Sequence, residues 1–172
     1  MTRHTFGIGC IALVAVPALG GTTIAREIEA PREPLDVPEA PLYDSPSLEA
    51  AMFDDLNALR RGRKLSPLIL DPALAEVARE YARQMLRGHF IGHVAPDGST
   101  FMKRLTRAGL AALHMGENLA YTTGDESEAF THLVASRGHL ANMLNPLFTK
   151  VGVGAISVGL YGTMYVQEFE GD

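Results

Sequence analysis

Cysteine is almost missing from this chain: Cys10 is the only one in 172 residues. There is therefore no disulfide framework and no cysteine-ligated metal site, and beyond the first residues there is no catalytic thiol, so the core alone must hold the fold. Tryptophan is absent altogether. No apolar run reaches the roughly 20 residues that a membrane-spanning helix needs. The run Phe6 to Leu19 stops at about 14 residues and contains Pro17, so no permanent membrane span is expected. Positive charge is also scarce, with 15 Lys and Arg against 20 Asp and Glu for a net charge of −5. Such a surface repels nucleic acid and anionic lipid and excludes both as general partners. The G-x-S-x-G, P-loop, dinucleotide-glycine and H-E-x-x-H patterns do not occur, which removes several large enzyme classes.

What is present begins with an export grammar. Arg3 and His4 precede the apolar run, and Gly20, Gly21 and Thr22 follow it with small residues suited to cleavage. Residues 1–20 are expected to be a signal peptide, giving a secreted or periplasmic product without a thiol. Residues 21–44 follow, with Pro31, Pro34, Pro38 and Pro41 set among six acids from Glu27 to Asp44. This composition reads as an extended, uncored linker. A domain spanning residues 45–172 remains, within the usual size of a single folding unit, and is expected to be a monomer.

Within that domain, Ser45-Pro46 starts a helix in which Leu48, Ala51, Met52, Leu56 and Leu59 recur until Gly62. The cluster Arg60, Arg61, Arg63 and Lys64 at its end reads as a solvated face that complements the helix dipole. Asp71-Pro72 starts a second helix, with Leu74, Ala75, Ala78, Tyr81, Ala82 and Met85 on one face and Gly88 as its stop. Ser99 or Thr100 caps a short helix through Phe101 and Leu105, and Asp125 opens another that buries Phe130, Leu133 and Val134. The period then changes. Val151, Val153 and Ala155 alternate with Gly152, Gly154 and Ile156, and residues 163–169 are β-branched and aromatic, which predicts a hairpin. The glycines leave one face of its first strand bare, so a helical layer should pack closely there.

Histidine spacing alone builds no metal site, and a single histidine is more often a surface or satisfied core residue than a ligand. Four blocks taken in order say more. Asn57 and Arg60 lead to Leu68–Asp71 and the second helix; His93-Val94-Ala95-Pro96-Asp97-Gly98-Ser99 forms a turn; Gly116-Glu117-Asn118-Leu119-Ala120 follows; and Gly138-His139 runs through Asn142 and Leu144 to Val151-Gly152-Val153-Gly154. Over residues 52–169 this set resembles the bacterial branch of the CAP (SCP-like) superfamily.

The resemblance implies an α+β fold, a three-layer α-β-α sandwich around a mainly antiparallel sheet. It also implies a cleft where His93, Glu117 and His139 converge, with Asn118 and Ser136 beside it. Ser136 stands where eukaryotic relatives carry a second glutamate. His93 and His139 would be the ligands if a divalent metal such as Zn2+ binds, weakly, since two protein ligands leave the site open. Glu117 would be a neighbouring carboxylate or a general base, or would lock a turn through backbone N–H groups, with Asn118 as a turn-stabilising residue. Three functions follow: a non-enzymatic module binding a lipid-like, peptide or cell-envelope ligand; a metal-assisted, peptidase-like hydrolase; or a domain whose His-Glu-His cluster serves stability alone. No nucleophile is evident, which leans against an enzyme.

Overall fold

The computed structural model describes the backbone of residues 12–15 and all of residues 32–172. Of the segment read as an export signal, only Ala12–Ala15 falls within the described residues, and Cys10 lies outside them.

The central sheet has the order β1 (Ala12–Ala15), β6 (His114–Thr122), β8 (Thr163–Gly171), β7 (Lys150–Ser157), β3 (Tyr43–Asp44). All of these pairings are antiparallel. β4 (Ile69–Leu70) adds a parallel pair to the start of β7, and β2 (Glu33–Pro34) pairs with β5 (Phe90–Ile91) outside the sheet. One sheet face carries α2 (Pro72–Arg87) and α3 (Phe101–Arg107), and the other carries α1 (Pro46–Gly62), α4 (Glu126–Ala135) and α5 (Arg137–Met143). The result is the α-β-α sandwich expected of the sequence.

α2 forms where its signals place it. Asp71 accepts from the backbone N–H groups of Ala73 and Leu74 at 2.9 and 3.1 Å, Pro72 supplies the first helical position, and Gly88 ends the helix. The predicted apolar stripe is the buried one, with Leu74, Ala78, Ala82 and Met85 fully enclosed against the sheet. Sequestering a side chain of this kind stabilises a fold by about 1.5–3 kcal/mol for Leu or Met. The bare face of β7 explains how close α2 lies. A Cβ at Gly152 would stand 2.1 Å from the Leu74 carbonyl carbon, and one at Gly154 would stand 2.5 Å from the Arg79 nitrogen. The opposite face of β7, with Val151, Val153 and Ala155, packs on α1 and α4. The hairpin closes through a 3-10 turn, Gly159–Tyr161.

Two expectations, on Arg60 and on residues 32–44, need correction, and two further features were not read from the sequence. Arg60 is not part of a solvated face: it is 1 % exposed and donates to the carbonyls of Ser66, Met143, Asn145 and Phe148, tying α1 to the loop before β7. Arg61, Arg63 and Lys64 are exposed, as read. Ser45 precedes α1 but makes no side-chain cap bond. Residues 32–44 lie against the domain, because Val37 is buried and Leu35, Ala40 and Leu42 pack on the α2-side core, an apolar spacing that prolines and acids obscure. β6 gave no strand signal because it is buried on both faces and does not alternate.

Candidate functional site

His93 follows β5 in the loop that leads to α3, and that loop is a tight reversal. Ser99 N–H donates to the Asp97 carboxylate at 2.8 Å, Ala95 N–H to the Ser99 carbonyl at 2.9 Å and Gly98 N–H to the Ala95 carbonyl at 2.9 Å. Gly98 has φ +76°, a conformation that favours glycine. Thr100 then caps α3 through Lys103 N–H. The reversal carries Arg104, on the first turn of α3, back over His93. Its guanidinium donates to the His93 and Ser99 carbonyls at 3.2 Å each and lies over the Tyr81 ring, 3.2 Å from its centroid. Tyr81 in turn donates its hydroxyl to the Gly92 carbonyl. The His-x-x-Pro-Asp-Gly-Ser block thus shapes the path that brings an arginine and a histidine together.

The Gly-Glu-Asn block lies in the middle of β6, where alternation sends neighbouring side chains to opposite faces. It is therefore not a turn, and the turn-locking reading of Glu117 and Asn118 does not hold. Each residue has a separate reason. A Cβ at Gly116 would stand 2.9 Å from the Phe148 ring, so glycine admits that ring beside α5. Glu117 points to the α2/α3 face, where its carboxylate meets His93 Nδ1 at 2.6 Å and accepts from Arg104 at 2.5 Å. Asn118 points to the opposite face and donates to the His139 carbonyl at 3.2 Å and to Gln167 Oε1 at 2.9 Å.

Glu117 is fully buried, as is Glu168, its direct cross-strand partner on β8. Two carboxyl groups opposite each other in a low-dielectric setting do not both ionise. Burial raises the Glu117 carboxyl, but Arg104 and then His93 pull it below the usual carboxylate range. Burial, and then the Glu117 charge, push Glu168 well above that range. These opposite directions favour the proton on Glu168 and the charge on Glu117. The same surroundings, burial first and Glu117 next, push the Tyr81 hydroxyl far up.

His139 lies on α5 and is fully buried. Its backbone carbonyl is tied to Asn118, and Asn142, one turn on, donates to the Asn118 side chain at 2.8 Å and to the Glu117 carbonyl at 3.2 Å. α5 therefore lies against the face opposite to the Glu117 carboxylate. Ser136, at the junction of α4 and α5, makes no side-chain cap bond. The structure brings the His93 ring to Glu117 and the His139 backbone to Asn118, whose side chains leave β6 on opposite faces. Sequence reasoning passed over Arg104, Tyr81 and Glu168. Only Glu168 left a trace, an acid flanked by the β-branched and aromatic residues of a strand, where a charged residue needs an explanation.

Glu117 is poorly placed to hold a metal ion. Both oxygens of Glu117 are engaged, one by the Arg104 cation, which would repel a second cation. Among the described residues no group of three or more His, Cys, Asp or Glu is arranged to hold one. The neighbouring open space is a hollow of about 780 Å3 between α2 and residues 96–108, with Val77, Tyr81, Phe90, Pro96 and Arg104 in its wall. Arg104 and Tyr81 thus border both the buried cluster and the hollow.

Comparison with known proteins follows the same outline. The model of the cysteine-rich secretory protein family, CAP, matches residues 53–169. The chain is 30% identical over 123 residues to the uncharacterized protein YkwD of Bacillus subtilis (strain 168), across 72% of this chain and 47% of that one. It is 30% identical over 106 residues to the uncharacterized membrane protein YlbC of the same organism, across 62% of this chain and 31% of that one. The chain thus spans half or less of these curated relatives. An extracellular protein containing a SCP domain from Bacillus anthracis superposes with a TM-score of 0.67 at 30% identity, over 74% of this chain and 41% of that one. An outer surface protein from Borrelia burgdorferi superposes with a TM-score of 0.72 at 21% identity, over 77% of this chain and 99% of that one, a likeness of fold.

Proposed function

Because the chain belongs to the CAP, or cysteine-rich secretory protein, family, we propose that it is an exported, non-enzymatic binding module. Its ligand would be a lipid-like, peptide or cell-envelope component held at the surface formed around His93, Arg104 and Tyr81. Structural neighbours described as extracellular or outer-surface proteins support the compartment. Among the described residues no helix is long and apolar enough to cross a membrane.

The observation that carries this reading is the burial of Glu117 beneath His93 and Arg104. A general base must present a free lone pair to a water or substrate proton. This carboxylate is 0 % exposed, and its two oxygens are taken by His93 and Arg104. A preassembled, charge-balanced group of this kind suits a rigid recognition surface better than hydrolysis, since rigid support lowers the ordering cost of binding.

The test is retention of envelope components by the purified protein, compared with its His93→Ala variant and with an unrelated acidic domain of similar size. Specific retention that His93→Ala diminishes is expected. Retention equal to that of the unrelated domain, or cleavage of a peptide library by wild type and not by Glu117→Gln, would overturn the reading.

A further inference from the structure

β6 is paired with β8 along all nine of its residues, His114–Thr122, but among the described residues its other edge is paired along only four. There Ala12, Leu13, Val14 and Ala15 lie antiparallel to Asn118, Glu117, Gly116 and Met115. Among the described residues no strand continues that pairing past Asn118. The four residues come from the segment read as an export signal, whose cleavage would take them away. Met115, Glu117, Asn118 and Leu119 are buried, and a buried strand edge with unpaired N–H and C=O groups is costly and invites another strand. Asn142 already meets one such group, donating to the Glu117 carbonyl at 3.2 Å.

We propose that the β6 edge at Met115–Asn118 is a strand-addition site, occupied by Ala12–Ala15 in the uncleaved chain and opened by their removal to an extended peptide of small aliphatic residues. This rests on the binding reading above and narrows its ligand to a peptide. Main-chain hydrogen bonds to β6 would give affinity, and alternate side chains would read the two faces. In the observed register, peptide residues opposite Met115 and Glu117 face the His93–Arg104 side, and those opposite Gly116 and Asn118 face α5. The peptide would therefore run between the His93 loop and the helix that carries His139, using both faces of the sheet. The acids on either side of the register explain the choice of residue: an uncharged strand places no second carboxylate against the Glu117–Glu168 pair, whereas an aspartate opposite Glu117 would.

The experiment uses the full chain, purified with residues 1–31 retained, and its Leu13→Pro variant. Leu13 pairs with Glu117, whose main-chain groups face β1, so proline there removes a main-chain donor from the ladder and disfavours the pairing without touching the domain. The probe is a fluorescent synthetic hexapeptide of sequence IALVAV, the segment from Ile11 to Val16, with a control in which its leucine is proline. Native melting behaviour of Leu13→Pro, followed by circular dichroism, establishes that the domain is folded. The expected results are faster hydrogen exchange of the Met115 and Glu117 amides in Leu13→Pro than in wild type, at least tenfold tighter binding of the probe by the variant, and restored protection on binding. The control peptide should not bind. Equal amide exchange in wild type and Leu13→Pro would overturn the proposal, as would equal binding of the probe and its proline control, which indicates apolar sticking alone. Should Leu13→Pro fail to fold, the wild-type chain carries the test, since excess probe must compete with Ala12–Ala15 at high concentration and its proline control must not. Envelope retention that still depends on His93, with no probe binding, would remove strand addition and leave the binding reading intact. Probe binding with no His93-dependent retention would do the reverse.

Discussion

Replacing Arg104 by methionine keeps much of its bulk and removes its charge, which isolates what the cation does for Glu117. Both partners are shielded, with side-chain exposures of 8% and 0%, so solvent screens the pair little. Breaking a buried pair by deleting one partner costs about 3–5 kcal/mol, because the remaining charge is left in a low-dielectric site. Two bonds to the His93 and Ser99 carbonyls and the contact with the Tyr81 ring are lost as well, whereas proton uptake by Glu117 limits the total. We expect Arg104→Met to lose about 3–5 kcal/mol of unfolding free energy at pH 7. The pH trend has a definite sign. In wild type the Glu117 carboxyl lies below its ordinary value, so its contribution is present above the ordinary carboxylate range and is lost as pH falls. In the variant the burial that raises it is no longer opposed by Arg104, so its folded value moves up and stability is lost as pH rises instead. The gap between the two proteins should widen from pH 4 to pH 7. Urea unfolding followed by far-ultraviolet circular dichroism serves as the assay, since the chain has no tryptophan. A cycle with Glu117→Gln completes the test: Arg104→Met should cost at least about 2 kcal/mol less in that background, a coupling typical of contacting groups. Additive costs, or a gap that narrows toward pH 7, would refute the reasoning.

Glu168→Gln mimics the protonated carboxyl. A folded carboxyl held above its ordinary value contributes stability that is complete below that value and declines as pH rises, so the variant should match wild type near pH 4 and exceed it by pH 8 in the same unfolding assay. A constant difference across that range would contradict it. Gly152→Ala places a methyl 2.1 Å from the Leu74 carbonyl carbon and 2.2 Å from the Ala75 nitrogen. α2 must retreat by about 1 Å, and overpacking on that scale costs about 3 kcal/mol. Gly62→Ala, with nothing within 4 Å at the end of α1, should be neutral or gain up to about 1 kcal/mol, and thermal melts of the pair show whether proximity or glycine content sets the loss.

The elements legible in the sequence are those that carry a local signal, which is one-sided burial in α2 and the glycine alternation of β7, itself covered on both faces. α2 and the β7–β8 hairpin carry local punctuation and a period, and both formed where the pattern placed them. β6 carries neither, because a strand covered on both faces has no reason to alternate. It was reached only through the resemblance of Gly116-Glu117-Asn118 to a family block. Arg60 shows the complementary failure. In a run of four basic residues nothing local distinguishes the one that turns inward, since its partners are carbonyls between residues 66 and 148.

The site follows the same rule. His93 and Glu117 were legible as residue types, but their meeting depends on a reversal that also delivers Arg104, and nothing in that short helix distinguishes Arg104 from Arg107. Glu168 was hidden for another reason: its effect exists only through cross-strand register, which places it opposite Glu117 and nowhere near it in sequence. Alternation also decides what surrounds the middle of β6. Glu117 and Asn118 are adjacent in the chain, so their side chains leave the strand on opposite faces. The first holds the His93 ring and the second holds the backbone of α5 at His139. A ligand that engages both the His93 loop and α5 must therefore pass along the edge of β6, which is where a strand is seated.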